Sequence, residues 1–288
     1  MNNQKVSYLL DITIRYFSDH RCPFCRSSSV KVIDRKFWVS RLFECNSCHL
    51  YFRHPKDKEG FNKKFYQETY DEPGLTTNIP DASALEQYKR DNFIGTNKDF
   101  TDRIQVINAL LPGRKISVVD YGTSWGYASY QFKNAGFDVQ SFEISRPMAE
   151  KGSKLLELDI KYKVEDLRSG NDVFFSSHVI EHLSDINFLL DTGRRLLKKE
   201  GLFIAYSPNG SRPFREKQPD IFTALWGMVH PNFLNADFYS TILKDHPFVI
   251  TSNPYDNISL FSDWNQSSQI VGDLSGDELL LICALNKT

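Results

Sequence analysis

The sequence predicts an α/β fold, a doubly wound and mostly parallel sheet with helices on both faces, preceded by a small N-terminal cysteine module. Three observations predict it. From residue 116 onward, short apolar runs alternate with helix-length amphipathic stretches, the pattern of parallel strands joined by right-handed crossovers. A loop holding Gly122 and Gly126 follows the first of those runs, where an open parallel sheet places its ligand. Four of the five cysteines are crowded between residues 22 and 48.

In chain order, residues 1–56 form the cysteine module. The stretch 53–83 mixes charge, Gly and Pro without sustained periodicity, so 57–83 reads as a linker with one short helix around FNKKFYQETY. The main domain, 84–288, opens with Leu85, Tyr88, Phe93, Phe100, Ile104, Ile107 and Leu110, which allow one long helix or two shorter ones before Pro112-Gly113. Strands are expected at 116–121, 138–144, 172–177, 202–207, 248–252 and 278–285. Helices are expected at 125–135, 146–157, 179–198 and 236–245. The segment 253–276 is polar with no clear helix, so the last two strands read as a closing hairpin-like pair. No internal repeat is evident.

Composition narrows the function classes. Hydrophobic residues at 41% and charged residues at 25% are globular proportions. A net charge of -1 gives no general attraction to polyanions, so nucleic acid is not an expected partner. No run approaches the ~18 apolar residues of a spanning helix, and MNNQKVSYLLDITIRYF lacks a signal-peptide apolar core. The expectation is a soluble, cytoplasmic protein without a membrane partner.

Cys22, Cys25, Cys45 and Cys48 are spaced C-x2-C-x19-C-x2-C, a zinc-ribbon spacing. Each knuckle presents two sulfurs to a tetrahedral ion, and four thiolates leave no open position, so the zinc would be structural. Disulfides are the competing reading, which a reducing cytoplasm disfavours. His20 and His49 read as neighbours of the ribbon, and Cys283 as a core residue.

The glycine loop decides between cofactor classes. A dinucleotide site wants G-x-G-x-x-G, whereas Gly122-Thr123-Ser124-Trp125-Gly126 lacks that spacing. Asp120 stands two residues before the first glycine, where it would repel a phosphate and suit a cation. The run Asp120 to Gly126, D-x-G-x-S-x-G, resembles motif I of class I S-adenosylmethionine (SAM) dependent methyltransferases of the methyltransferase-23 type, with Ser124 in place of a glycine. The segments NDVFFSSHVIEHLSD and RRLLKKEGLFIAYSPN resemble the family's fourth and fifth strand regions, so the likeness spans about residues 85 to 285.

That resemblance implies a Rossmann-like, seven-stranded sheet. It implies SAM contacts from Asp120, Tyr121, Gly122, Thr123, Ser124, Gly126 and Ser177, a ribose contact from Glu143 beside Ile144, and an adenine contact from Glu165 or Asp166. Candidate catalytic residues are His178, Glu181 and His182, which follow the fourth-strand region and of which His178 and either Glu181 or His182 can share one face, together with His230 in VHPNFLN. Similar E-x-x-E-H segments in some O-methyltransferases hold a divalent metal, but His178 replaces the first acid here.

Residues 209–236 are expected to form a substrate cap. Phe222, Trp226 and Phe233 would stack on a ring while Arg212 and Arg215 held an anionic group; the alternative is an apolar helix beside the sheet with solvated arginines. Small-molecule methyltransferases, sugar-modifying ones among them, resemble this ribbon-plus-fold arrangement. The preferred acceptor is a saccharide or nucleotide-linked sugar. Alternatives are a quinone or aromatic O-acceptor, or a non-catalytic SAM-fold module that uses the ribbon for protein or RNA contacts. The ribbon would wall the cleft or mediate homo-oligomer contacts.

Overall fold

The computed structural model describes residues 13–36, 38–56, 77–227, 230–253, 255 and 258–286. The helix expected around FNKKFYQETY lies outside them, as does most of the linker. The cysteine module is an antiparallel meander of β1 (Val30–Lys36), β2 (Ser40–Cys45) and β3 (Tyr51–His54). Two helices follow, α1 (Ala82–Arg90), capped by the Asp81 carboxylate on the Ala84 N–H, and α2 (Thr101–Leu110). Left-handed residues at Asn92, Phe93 and Gly95 break what periodicity alone could have joined.

The main domain then runs β4 (Ser117–Tyr121), α3 (Tyr127–Asn134), β5 (Asp138–Phe142), α4 (Arg146–Leu156), β6 (Ile160–Lys161), β7 (Asn171–Ser177), α5 (Ile186–Leu196) and β8 (Leu197–Pro208). It continues through α6 (Arg212–Lys217), α7 (Pro219–Leu225), β9 (Asn232–Phe233), α8 (Ala236–Ile242), β10 (Phe248–Asn253), α9 (Ser259–Asp263), β11 (Gln269–Val271) and β12 (Glu278–Cys283). The main sheet has the order β11-β10-β12-β8-β7-β4-β5-β6. β12 is antiparallel to both neighbours, and the other pairings are parallel.

This sheet has eight strands, not the expected seven. The addition is β11, an edge strand of three residues with only Ile270 half-buried, too short and polar to show a pattern. A short helix, α9, also stands in the segment read as lacking one, while β10 and β12 pair antiparallel as expected. The helix expected at 179–198 starts at Ile186, because residues 180–182 form a tight 3-10 turn and Asp185 caps α5 through the Asn187 N–H.

Alternation along the strands buries both faces of this sheet. Val119, Tyr121, Phe174, Phe203 and Ala205 pack with α5, α8 and the cysteine module. Val118, Val173, Phe175, Ile204 and Tyr206 pack with α2, α3 and α9. Among the described residues, no helix is long and apolar enough to cross a membrane.

A second sheet has the order β1-β2-β3-β9, so two residues from the far end of the 209–236 segment complete the meander of the N-terminal module. The packing there corrects the ring-stacking expectation. Phe222, Trp226 and Phe233 are buried together with Leu42, Tyr51 and Phe214, because the exposed face of the meander needs an apolar cover. They are not available to a substrate. Arg212 pairs with Glu216 in solvent, and Arg215 donates to the Ile33 carbonyl.

Phe174 lies fully buried at the sheet centre, stacked 5.3 Å from Phe203. Phe174→Ala should cost about 3–5 kcal/mol by urea unfolding. A loss under about 1 kcal/mol would move the core elsewhere.

Candidate active site

The loop after β4 lies at the carboxyl edge of the sheet. Gly122, Ser124 and Gly126 all take left-handed backbone, at φ 87°, 55° and 95°. A Cβ on Gly122 would sit 2.4 Å from Val179 Cγ2, so that position is tight as well as left-handed, while Gly126 is required by its φ. Ser124 accepts the left-handed conformation without being glycine, at a cost of roughly 1–2 kcal/mol. Its N–H donates to Glu143 Oε2 at 2.9 Å, while its buried hydroxyl has no hydrogen-bond partner among the described residues. The Gly122 and Thr123 N–H groups both donate to the Phe142 carbonyl, tying the loop to the end of β5. Gly126, the N-cap of α3, has no side chain with which to cap the helix.

Two carboxyls are buried beneath this loop. Asp120 accepts from Ser129 Oγ at 2.6 Å, and Ser129 also meets Thr123 and Ser141 hydroxyls. Burial pushes Asp120 up to about 6. Glu143 accepts from the Ser124 and Ser145 N–H groups, and burial pushes it up to about 7. Tyr121 packs on Phe142 at 4.6 Å between ring centroids. Ile144 is exposed next to Glu143, Glu165 and Asp166 are both exposed in a 3-10 turn, and Ser177 ends β7 half-buried.

An ionic chain runs along the same edge. His178 follows β7 in a left-handed conformation, and its ring is held on both sides, Nδ1 3.2 Å from Glu181 Oε1 and Nε2 2.9 Å from Glu278 Oε1. Arg103 Nη2 donates to both oxygens of Glu278, at 2.8 and 2.7 Å. Glu181 is fully buried and also reaches His182 Nε2 at 3.8 Å, and the His182 ring lies 4.7 Å from that of His230. His230 Nδ1 donates to the Leu225 carbonyl at 2.5 Å.

Burial opposes a charged His178, but the two carboxylates outweigh it and raise the ring to about 10. About half of the side chain faces water, which screens the pair, so the direction rests on the two contacts. Burial would raise Glu181, yet His178 and His182 bring it down to about 2. Burial likewise opposes ionisation of Glu278, and His178 with Arg103 holds it below its ordinary value. The stabilisation from His178 is therefore full below its ordinary 6.5 and lost as pH rises through about 10. That from Glu181 is full above 4.5 and lost as pH falls through about 2. Carboxylate oxygens on both sides of the ring thus favour the protonated form of His178.

Arg103 and Glu278 are site residues that the sequence did not disclose. Glu278 pairs with Pro208 of β8 and Asn253 of β10, so the antiparallel insertion of β12 brings its first residue to the edge where the parallel strands end. The only signal was an acid opening the apolar run ELLLICAL. An open groove of about 630 Å³ runs along β5 and the 157–168 segment; of the predicted cofactor residues it includes only Asp166, and none of the ionic chain.

The cysteines form a second centre. Two knuckles repeat one geometry: the Cys22 and Cys45 N–H groups donate to Ser27 and Leu50 carbonyls, and the Arg26 and His49 N–H groups donate back to Cys22 and Cys45. Arg26 and His49 are both left-handed, at φ 63° and 61°. The four sulfurs lie within 4.8 Å of one another, with Cys22–Cys48 at 3.6 Å and Cys25–Cys45 at 3.5 Å. Disulfides would need about 2.05 Å. A tetrahedral ion with Zn–S bonds of about 2.3 Å spaces neighbouring sulfurs by about 3.8 Å, so the donor set fits a thiolate-bound cation. Contact between Cys22 and Cys48 pulls Cys22 down to about 5 and drives Cys48 up. His20 stacks on Phe43 and His49 faces Glu44, while Cys283 is buried in the main core. Glu181, His182 and His230 also offer one ligand atom each within 4.8 Å.

Residues 93–253, more than half of the chain, match the methyltransferase domain family. A ubiquinone biosynthesis O-methyltransferase of Pelagibacter ubique (strain HTCC1062) is 29% identical over 160 residues, covering 52% of this chain and 63% of that protein. The chain thus spans less than two thirds of the length of that curated relative. Among solved structures, a SAM-dependent methyltransferase from Thermotoga maritima is similar at 17% identity, over 70% of this chain and 94% of that one, with a TM-score of 0.46. Geranyl diphosphate C-methyltransferase from Streptomyces coelicolor A3(2), solved with Mg2+, geranyl diphosphate and S-adenosyl-L-homocysteine, is similar at 14% identity, over 78% and 97%, with a TM-score of 0.48.

Ring signals of His178 followed by NMR test the ionic chain. The wild-type ring should remain protonated where an ordinary histidine, at about 6.5, has become neutral, and Glu278→Gln should lower its titration. A wild-type ring that titrates near the ordinary value would dissolve the clamp.

Proposed function

The chain belongs to the methyltransferase domain family, and from that premise we propose that it transfers a methyl group from SAM to a small-molecule acceptor. The observation that carries this reading is the left-handed loop Gly122–Gly126 closed over two buried carboxyls, Asp120 and Glu143. Such a loop would reject a phosphate and accept a cation with hydroxyl donors. Asp120 holds the loop through Ser129, and Glu143 offers its carboxylate to ribose hydroxyls. Tyr121, Gly122, Thr123, Ser124 and Gly126 line the cradle, with Ser177 at its far side and Ile144, Glu165 and Asp166 toward the adenine. The orphaned Ser124 hydroxyl, buried and unpartnered among the described residues, supports a ligand there. The bound cofactor supplies an electrophilic methyl group for in-line displacement.

The chain's own part is to hold the acceptor in line and manage its proton. His230 and His182 are the proton acceptors of this reading, Glu181 fixes their surroundings, and His178 supplies positive charge. Cys22, Cys25, Cys45 and Cys48 hold structural zinc. A saccharide or nucleotide-linked sugar is the acceptor we favour. A quinone or aromatic hydroxyl is the second reading, favoured by the Pelagibacter relative, which is named for ubiquinone biosynthesis. Production of S-adenosylhomocysteine from sugar and phenolic acceptors distinguishes the two, and a chain that binds SAM but turns over neither class would be a binding module.

Glu143→Ala should weaken SAM binding about tenfold or more in calorimetry, the worth of a charge-assisted hydrogen bond. Asp120→Ala should weaken it as well, and unchanged affinity in both would remove the site. Because Asp120 and Glu143 are raised to about 6 and about 7, SAM affinity should fall as pH drops through that range and the carboxyls take up protons. Replacing Cys22 and Cys45 by Ser should release one zinc per chain by metal analysis. A folded wild type purified without metal would end the zinc assignment.

A further inference from the structure

The sequence left two roles open for the cysteine module, a wall of the cleft or an oligomer contact. The hydrogen bonds around β9 bear on that choice. Tyr51 and Phe52 of β3 pair with Phe233 and Asn232, and the Arg53 N–H extends the ladder to the Pro231 carbonyl at 2.8 Å. His230 immediately precedes this seam. Its other flank is held as well, since Thr223 Oγ1 and Trp226 Nε1 both donate to Asp34 Oδ2 of β1 at 2.9 Å.

The seam is tied directly to the two knuckles. Asn235 Nδ2 donates at 2.8 Å to the carbonyl of His49, the left-handed residue after Cys48, while Asn235 Oδ1 caps α8 at the Phe238 N–H. Phe24, between Cys22 and Cys25, packs edge-on against Phe238 at 5.1 Å. From the same seam Asn232 Nδ2 donates at 2.6 Å to the carbonyl of Leu183, the residue after His182. His182 and His230 therefore meet through a path that begins at the sulfurs. The cofactor side is built differently. The hydrogen bonds that hold the Gly122–Gly126 loop and Glu143 come from β5, Ser129, Ser145 and Lys161, with none from residues 13–56 among the hydrogen bonds of the described residues.

We infer that the four-cysteine centre builds the acceptor side of the cleft, with Asn235 as the positioning residue that couples its second knuckle to His230, while the cofactor side stands without it. This rests on the reading of His182 and His230 as the acceptor side. Metal bound at the thiolates would fix the His49 carbonyl and hence the β3–β9 seam. Losing it would release the 209–236 segment without opening the glycine loop. Cys25 is the exposed member of the four, so the centre is within reach of solvent.

The test uses the full chain and two variants, Cys45→Ser, which removes a thiolate, and Asn235→Ala, which cuts the link and leaves all four cysteines in place. Three quantities are read: affinity for S-adenosylhomocysteine by calorimetry, tryptic cleavage at Arg215 and Lys217, and the NMR contact between the His182 and His230 rings. The expected result is an affinity within about threefold of wild type, cleavage faster by about tenfold or more, and loss of the ring contact, with metal retained by Asn235→Ala. Unchanged cleavage in Asn235→Ala would overturn the coupling even if Cys45→Ser failed to fold. Affinity lost in step with cleavage in Asn235→Ala would also overturn it, showing one undivided folding unit. A wild type that does not bind S-adenosylhomocysteine would count against the cofactor reading alone, because cleavage and ring contact are measured without it.

Discussion

Burial of the eight-stranded sheet on both faces is the constraint on which the rest depends. Strands covered on both sides have no solvent face on which to carry polar chemistry, so polar groups collect where the strands end. Phe174 illustrates the rule, stacked on Phe203 in the interior, whereas the same strand ends in Ser176 and Ser177 and turns into His178. The glycine loop, Glu143, the His178 turn and Glu278 all stand at that one edge because the interior excludes them.

Low polarity at this edge dictates the electrostatics. A buried charge persists only when paired or hydrogen-bonded. Asp120 and Glu143 have hydroxyl and amide donors but no paired cation among the described residues, so burial wins and both sit above their ordinary values. Glu181 and Glu278 are as deeply placed but have His178, His182 and Arg103, so pairing wins and both sit below. The two pairs of acids differ in partner and not in depth. The first pair suits a cationic ligand, and the second is already neutralised by the chain itself.

The cysteine module shows how a small unit acquires a core. Its three strands cannot bury two faces alone, and β3 is buried throughout because Phe52 meets the main core while Tyr51 meets aromatics of the 209–236 segment. That segment in turn gives up Phe222, Trp226 and Phe233 to the interface. Aromatic residues that look available for a ligand in the sequence are thus consumed in joining two segments far apart in the chain.

Periodicity and local motif chemistry were legible without a structure, since they depend on near neighbours. Apolar runs located β4, β5, β7, β8, β10 and β12, the C-x2-C pairs marked the knuckles, and D-x-G-x-S-x-G marked the loop with its left-handed positions. What the sequence could not show was set by pairings between distant residues. Two-residue strands such as β6 and β9 carry no period, and the start of α5 was decided by Asp185 and the turn before it. Whether His178 accepts or donates a proton depended on Glu278, a hundred residues away, reaching the same edge through an antiparallel insertion. Composition and spacing determined what kinds of groups this protein carries, and the tertiary structure decided their partners, because charge and burial are set by contacts in space and not by order along the chain.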